Sequence, residues 1–185
     1  MIDDVHALCA AIERGARFEY RCFWKPLVAP DGRVTDACFS QWWESEFVIG
    51  GVTYSTAEQW MMAGKARLFG DDETLGEILA THDPSTVKKL GRKVRGFDEA
   101  AWKQRRLDLV TEGNVAKFSQ RADLRAHLVA TGDAVLVEAS PLDRIWGIGL
   151  AAEHPDALDP RRWKGLNLLG FALMRARARI AADRT

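Results

Sequence analysis

The segment STAEQWMMAGKARLF, residues 55–69, shows a helical periodicity around which the rest of the chain can be arranged. Wound at about 100° per residue, it places Glu58, two methionines and Lys65 on one stripe. Glu58 and Lys65 are two turns apart, so they project the same way, about 10 Å from each other along the axis. Charged side chains are costly in a core unless they line a cavity or find partners, so this stripe is the first candidate site.

Each of these two charged residues also has an ordinary structural explanation. Ser55 and Glu58 have the spacing of a capping box, in which Glu58 reaches back to the start of the helix. The Lys65 ammonium can extend past Met61 to solvent. If both side chains instead face a pocket, desolvation raises the proton affinity of Glu58 and makes Lys65 a candidate nucleophile. The pattern alone does not choose between these alternatives.

Helical periodicity also governs most of the chain that follows. It predicts four further helices and a closing helix, over about 71–81, 84–90, 98–118, 122–131 and 167–182. Near the N-terminus, two aspartates precede an apolar periodic run. This pattern predicts one more, peripheral helix over about 3–15.

The β-prone parts of the sequence are few and short. Residues 18–48 are rich in aromatic residues and interrupted by turn signals, which predicts short strands and loops. Gly50 and Gly51 separate two β-prone runs and predict a hairpin over 46–54, and residues 135–139 predict a strand. No repeat or flexible linker divides the chain. The sequence therefore predicts a mainly α (α+β) fold, a single compact helical domain over residues 1–185 with a small β element.

The bulk composition is that of an ordinary globular protein, with 47% apolar and 28% charged residues among 185. Lys plus Arg and Asp plus Glu both total 26, so no global positive field exists and a polyanion must be met locally. The acidic N-terminus and the lack of an apolar run of about 18 residues predict a cytoplasmic protein without a membrane partner. Three cysteines without CxxC spacing and four scattered histidines disfavour a zinc site or a disulfide framework.

Three other groups of residues have the chemistry of a binding site. Five cations within eight residues are suited to a phosphate but equally to a solvated helix face: Lys88, Lys89, Arg92, Lys93 and Arg95. Trp146 precedes Gly147, whose missing side chain lets a ligand approach the backbone. Asn114 and Lys117 lie three apart on one predicted helical face. None of these patterns carries a function alone.

Taken in order, several blocks of the sequence resemble the NADAR family, also called YbiA-like. The blocks are FSQWW (39–43), GVTYSTAEQWMMAGKA (51–66), GNVAKF (113–118), EASPLDRIWGIG (138–149) and NLLGFALMR (167–175). The resemblance covers residues 18–179, nearly the whole chain. Because the blocks are collinear, together they are far more specific than any one of them.

The resemblance implies an α-rich domain that hydrolyses N-glycosidic bonds, with Glu58 and Lys65 as its catalytic residues. Two substrates are implied: ADP-ribose attached to guanine in nucleotides or DNA, and ribosylamine phosphates related to riboflavin synthesis. Gln59 stands where family members commonly have His, and a neutral amide cannot transfer a proton. Two other interpretations remain: a non-catalytic ADP-ribose or nucleotide-binding module, and a helical interaction domain whose tryptophans all belong to the core.

Cleavage of a ribose C1–N bond passes through an oxocarbenium-like centre. This chemistry suggests a role for each of the two candidate catalytic residues. Glu58 would stabilise that centre or activate water, while Lys65 would attack C1 to give an imine or protonate the departing base. Trp146, with Trp102 as a second candidate, would stack on a base. No cofactor or metal is needed.

The remaining predicted contacts come from phosphate chemistry and from the family blocks. Phosphate would be held by cations within residues 92–95 or by Arg175. The resemblance further implies ligand contacts from Trp24, Asn114, Lys117, Asp143, Gly147 and Asn167.

Overall fold

The computed structural model describes residues 2–183, and helices dominate them. The helices are α1 Val5–Glu13, α2 Ala57–Leu68, α3 Asp72–Leu79, α4 Pro84–Gly91, α5 Glu99–Ser119, α6 Ala122–Val129 and α7 Leu168–Ala182. Short 3-10 helices span Asp36–Phe39 and Pro160–Arg162. The predicted mainly α (α+β) fold is confirmed, and every predicted helix is present. Within the described range, no helix has both the length and the apolar composition that crossing a bilayer requires.

One pair of short strands is parallel. Strand β1 (Tyr20–Phe23) lies beside β4 (Val135–Glu138), in a register that sets Phe23 opposite Glu138. Parallel strands end at the same edge, so Trp24, which follows β1, comes close to the end of β4 in the fold. The carboxyl ends of parallel strands are a common position for ligand sites, and this edge borders the candidate active site described below.

The second pair is the predicted hairpin. Strands β2 (Phe47–Ile49) and β3 (Val52–Tyr54) run antiparallel, with Ile49 opposite Val52. The two glycines between them, Gly50 and Gly51, have φ values of 59° and 78°. A two-residue turn with positive φ at both positions matches the twist of the flanking strands, which is why the glycine pair predicted it correctly.

Helix α2 is the centre of the helical part. It packs against α3, α4 and α5, and nine of its twelve residues are buried. The Trp60 indole donates a hydrogen bond to the Leu109 carbonyl of α5 at 2.7 Å. A Cβ at Gly113 would lie 2.2 Å from the Trp60 ring, so glycine is what allows this close approach of α2 and α5. A charged side chain on the buried surface of α2 must find a partner or a cavity.

Strand β4 separates two apolar clusters. Leu136 belongs to the larger cluster, which includes α2 and α5, while Val135 and Val137 face a smaller one with Leu8 of α1 and Phe171 of α7. This alternation follows the two-residue period of a strand. Because both sides of β4 are covered, its residues are apolar until the last one, Glu138.

Candidate active site

A cavity of about 830 Å³ lies where α2, the end of α4 and the segments after β1 and β4 meet. This volume falls within the range of small-molecule sites, roughly 300–1,000 Å³. Its wall combines aromatic rings (Trp24, Trp42, Trp102 and Trp146), cations (Lys25, Lys65, Lys88, Arg92 and Arg144) and carboxyl groups (Glu58, Glu138 and Asp143). Glu58 and Lys65 therefore open into one space, as their shared stripe predicts.

Glu58 lies in the first turn of α2 and is only 3% exposed to solvent. Burial raises the pKa of its carboxyl to about 7; the charge of Lys88 and a hydrogen bond from the Trp42 side chain oppose that rise, and Asp143 adds to it. A carboxyl group with this pKa exists in both protonation states at neutral pH. It is therefore suited to accept and release a proton during a reaction.

The start of α2 differs from the predicted capping box. The N-cap is Thr56, in extended backbone conformation, and its hydroxyl accepts the Gln59 N–H at 3.2 Å. The side-chain oxygen of Gln59 accepts the N–H of Ser55 at 2.8 Å. The predicted box of Ser55 and Glu58 is wrong, because the helix begins one residue later and the reciprocal role falls to Gln59. Glu58 is thereby left to face the cavity.

Gln59 has a structural role in this chain. Its side-chain N–H₂ donates to the carbonyls of Ile78 and Thr81 at 3.0 and 2.8 Å, at the end of α3. Together with the bond to Ser55, these contacts use both ends of the amide. Gln59 is buried and does not line the cavity, so the absence of His at this position removes no group from the cavity wall.

Lys65 lies two turns further along α2, half-buried in the cavity wall. Its Nζ donates to the carbonyl of Gly91 at 2.7 Å and lies 4.2 Å from the ring centre of Phe97 and 6.0 Å from that of Trp102. Burial lowers the pKa of the ammonium group, whereas a carbonyl oxygen and ring faces favour its charged form. These contacts hold the amine in a defined position.

The five cations predicted as a phosphate site do not all face the cavity. Lys88 and Arg92 line the cavity. Arg95 is turned away by ion pairs with Asp71 at 2.6 Å and Glu73 at 3.0 Å. The other two members, at positions 89 and 93, are exposed and outside the lining.

All three tryptophans predicted as ligand contacts, Trp24, Trp102 and Trp146, line the cavity. Asp143 lies beside them, and its Oδ1 accepts the N–H groups of Ile145 and Trp146, both at 2.8 Å. This carboxylate therefore fixes the turn that presents Trp146.

Asn114 and Lys117 are completely buried on α5 and lie behind the cavity wall. The Asn114 amide donates to the side-chain oxygen of Gln41, which itself lines the cavity. Lys117 Nζ donates to the carbonyls of Cys38 and Ser40 at 2.7 and 3.0 Å, and burial lowers its pKa to about 7. Both residues hold the 38–41 segment in place.

The other three predicted ligand residues are also absent from the lining. A Cβ at Gly147 would lie 2.7 Å from the carbonyl oxygen of Glu138, so glycine permits close chain packing there. Asn167 bridges the carbonyl of Leu136 and the N–H of Glu138. Arg175 pairs with two acids, Asp3 and Asp108.

Two wall residues that interact with the Glu58 carboxyl group were missed by the predictions. Trp42, within FSQWW, gives Glu58 its hydrogen bond. Glu138 is the last residue of β4; burial raises its pKa to about 8, and Asp143 and Glu58 add to the rise. The sequence did contain a signal for Glu138, because it is the only carboxyl group in the otherwise apolar strand β4.

In the described part of the chain, no group of three or more His, Cys, Asp or Glu is arranged to hold a metal ion.

Comparisons with known proteins show which family this chain belongs to. A model described as the NADAR domain matches residues 22–181. N-glycosidase R617 of Acanthamoeba polyphaga mimivirus is 45% identical over 144 residues, which are 75% of this chain and 85% of that protein. N-glycosidase YbiA of Escherichia coli (strain K12) is 31% identical over 136 residues, which are 74% of this chain and 76% of that protein.

The solved NMR structure of the E. coli protein YbiA resembles this fold with a TM-score of 0.71 and 27% identity, covering 91% of this chain and 89% of that one. A plant protein of Zea mays, named "Riboflavin biosynthesis protein PYRR, chloroplastic", is 32% identical over 137 residues, 69% of this chain but 20% of the plant protein. Because the domain model matches most of the sequence and two relatives above 30% identity are matched over most of their own length, this chain belongs to the NADAR domain family.

Proposed function

We propose that this hydrolase of N-glycosyl bonds removes ADP-ribose from guanine bases in nucleic acid. The observation that carries the proposal is that one cavity is lined by Glu58, four tryptophans and several cations. Aromatic rings stack on flat bases, and Lys and Arg pair with phosphate oxygens. ADP-ribose on guanine has two heterocycles and a pyrophosphate, and it uses both kinds of contact.

Glu58 supplies the chemistry at the ribose. The C1–N bond breaks through an oxocarbenium-like centre, which a nearby carboxylate stabilises. Since its pKa is about 7, Glu58 is charged in a large fraction of molecules at neutral pH and can take a proton from the attacking water. The water then adds to C1 and gives free ADP-ribose.

Lys65 has a positioning role in this scheme. Its hydrogen bond to Gly91 and the ring faces of Phe97 and Trp102 stabilise the charged form. An ammonium held in this way binds anionic groups of the substrate, and water activated by Glu58 captures C1. Attack by the Lys65 amine is the competing route.

A ribosylamine phosphate is the second candidate substrate. It contains the same kind of bond, and the maize relative is named for riboflavin biosynthesis. Such a ligand has fewer rings and phosphates than ADP-ribosylguanine, so it would leave part of the aromatic wall unused.

The two substrates can be compared directly. The protein is incubated with an oligodeoxynucleotide that carries ADP-ribosylated guanine and, separately, with a ribosylamine phosphate, and mass spectrometry follows both. We expect the unmodified oligonucleotide and free ADP-ribose, and neither product with Glu58→Gln. Release from the ribosylamine phosphate alone would establish the second substrate. Tight binding of an adduct that stays intact would instead identify a non-catalytic module.

A further inference from the structure

Glu138 is the one carboxyl group of the cavity wall that still has an unpaired, buried oxygen. Its Oε2 is inaccessible to solvent and has no hydrogen-bond partner among residues 2–183. Burying a polar atom without a partner is unfavourable, and such atoms in native proteins call for an explanation. Because Glu138 lines the cavity, a rotation of its carboxyl group would bring this oxygen to a bound ligand, which supplies the partner that it lacks.

The backbone around Glu138 is fixed on both sides. Its N–H donates to Asn167 Oδ1 at 3.0 Å, and its carbonyl accepts the N–H of Ile148 at 2.9 Å. Asn167 adopts a left-handed conformation with φ of 50°, and its amide also donates to Leu136. The Asn167 side chain thus bonds two backbone groups of β4, the Leu136 carbonyl and the Glu138 N–H, and fixes the backbone from which the Glu138 side chain extends.

The charges near Glu138 favour its protonated form. Glu58 from α2 and Asp143 from the following loop repel a negative charge there, and Lys88 from α4 opposes them. The other charged groups of the wall are Lys25, Lys65, Arg92 and Arg144. Burial is the largest effect and raises the pKa to about 8, so Glu138 holds its proton at neutral pH.

Two other groups of the wall are less suited to donate a proton. Asp143 is engaged by the N–H groups of Ile145 and Trp146, which it accepts through one oxygen. The Lys65 ammonium donates to the Gly91 carbonyl and lies against the ring faces of Phe97 and Trp102, and these contacts favour the form that keeps its proton. Glu138 holds a proton at neutral pH, and its buried Oε2 has no hydrogen-bond partner among residues 2–183.

We propose that Glu138 is a second catalytic residue, which donates its proton to the departing base nitrogen while Glu58 takes a proton from water. This inference rests on the proposed function. The C1–N bond breaks, its electron pair stays on the base nitrogen, and that nitrogen takes the Glu138 proton. The water oxygen bonds to C1 and its proton passes to Glu58. Proton exchange with solvent then restores Glu138 as acid and Glu58 as base.

The substitution Glu138→Gln tests this assignment, because an amide keeps the shape but cannot release a proton. On an N-riboside whose neutral base needs protonation, such as the guanine adduct, kcat should fall by about 10²-fold with little change in KM. An N-ribosylpyridinium leaves without protonation, so the variant should lose far less with that probe. Glu138→Asp, which keeps an acid, should recover part of the rate.

The pH profile gives an independent readout in the wild-type protein. Activity requires Glu58 without its proton and Glu138 with its proton, so the rate should rise as pH approaches 7 and fall above about 8. Glu138→Gln should lose the fall on the alkaline side. The wild-type profile does not depend on whether any variant folds.

Each outcome has a distinct meaning. A Glu138→Gln enzyme as fast as wild type, an equal loss with both leaving groups, or a wild-type rate that stays level through pH 9 would overturn the role of Glu138. Those results leave the proposed function intact as long as Glu58→Gln abolishes cleavage of the guanine adduct. Failure of the wild-type protein itself to cleave that adduct refutes the proposed function. Glu77→Gln, at an exposed glutamate on α3 outside the cavity wall, is the matched control.

Discussion

Helices α2 and α5 each bury a charged side chain that was predicted as a site residue, but the two lie in different surroundings. Lys117 on α5 is completely buried and donates to two main-chain carbonyls, Cys38 and Ser40. Glu58 on α2 is nearly as buried, yet it faces a cavity of about 830 Å³. Burial alone therefore does not distinguish the proposed reacting group, Glu58, from a supporting group such as Lys117. The surroundings of the charged group differ, because Glu58 faces an open cavity and Lys117 faces main-chain carbonyls. This difference can be tested.

The substitution Glu58→Gln should have the largest effect on activity. The amide preserves the shape of the side chain but cannot act as a base or carry the negative charge, so turnover should fall by at least about 10²-fold. Stability above pH 7 should be equal or higher, because a buried carboxylate is removed. Steady-state kinetics and denaturant unfolding at pH 8 measure the two quantities.

Glu77→Gln on the exposed face of α3 serves as the control for this change. A Glu58→Gln enzyme that keeps the wild-type rate would show that the catalytic group lies elsewhere and would remove the contrast between α2 and α5.

The substitution Lys117→Met should affect stability rather than chemistry. It leaves the carbonyls of Cys38 and Ser40 without their donor, and a loss of about 1–3 kcal/mol is expected at pH 9. The pKa of Lys117 is lowered to about 7 in the folded state, so the unfolded chain binds more protons between pH 7 and about 10.5. Wild-type stability should gain from this lysine as pH rises through that window, and the variant should lack the gain.

Denaturant unfolding across that pH range, with the rate per folded molecule measured in parallel, distinguishes the roles. A rate that collapses in Lys117→Met while stability is unchanged would place Lys117 among the reacting groups, contrary to its position behind the wall.

Most of the fold could be predicted because it rests on local patterns. The period of apolar residues located the helices, and Gly50 and Gly51 fixed the hairpin. The start of α2 was misplaced because Ser55 and Thr56 are both good N-cap residues. Only the backbone conformation of Thr56 decides between them.

The cavity could be predicted only in part. Glu58 and Lys65 share one helix face, so their spacing was sufficient. Trp42, which follows the 38–41 segment, and Glu138, at the end of β4, reach the cavity from separate parts of the chain. That proximity depends on packing between distant parts of the chain, which periodicity does not report.

The substitution Gln59→His, which introduces the residue that the family resemblance leads one to expect, should have a modest effect. An imidazole cannot replace the contacts to Ser55, Ile78 and Thr81 together, so a loss of about 1–2 kcal/mol is expected. Activity per folded molecule should stay close to wild type, because position 59 does not line the cavity. Thermal unfolding and kinetics check both statements. A tenfold faster enzyme would mean that this side chain reaches the substrate after all.

The smallest effect is expected from Lys65→Arg, which keeps the positive charge but lacks an amine that can form an imine at neutral pH. If Lys65 positions the substrate as an ammonium held by Gly91 and Phe97, the variant should retain turnover within a few-fold of wild type. Borohydride added during wild-type turnover should then leave the protein unmodified, since only an amine bonded to C1 of the opened ribose can be trapped by reduction. Mass spectrometry of the intact protein and of its peptides detects such an adduct. A sugar attached at Lys65, together with an inactive Lys65→Arg enzyme, would make α2 the carrier of both the base and the nucleophile. Retained turnover with no adduct leaves water activated by Glu58 as the route, and it places Lys65, like Lys117, among the lysines that hold the site in shape.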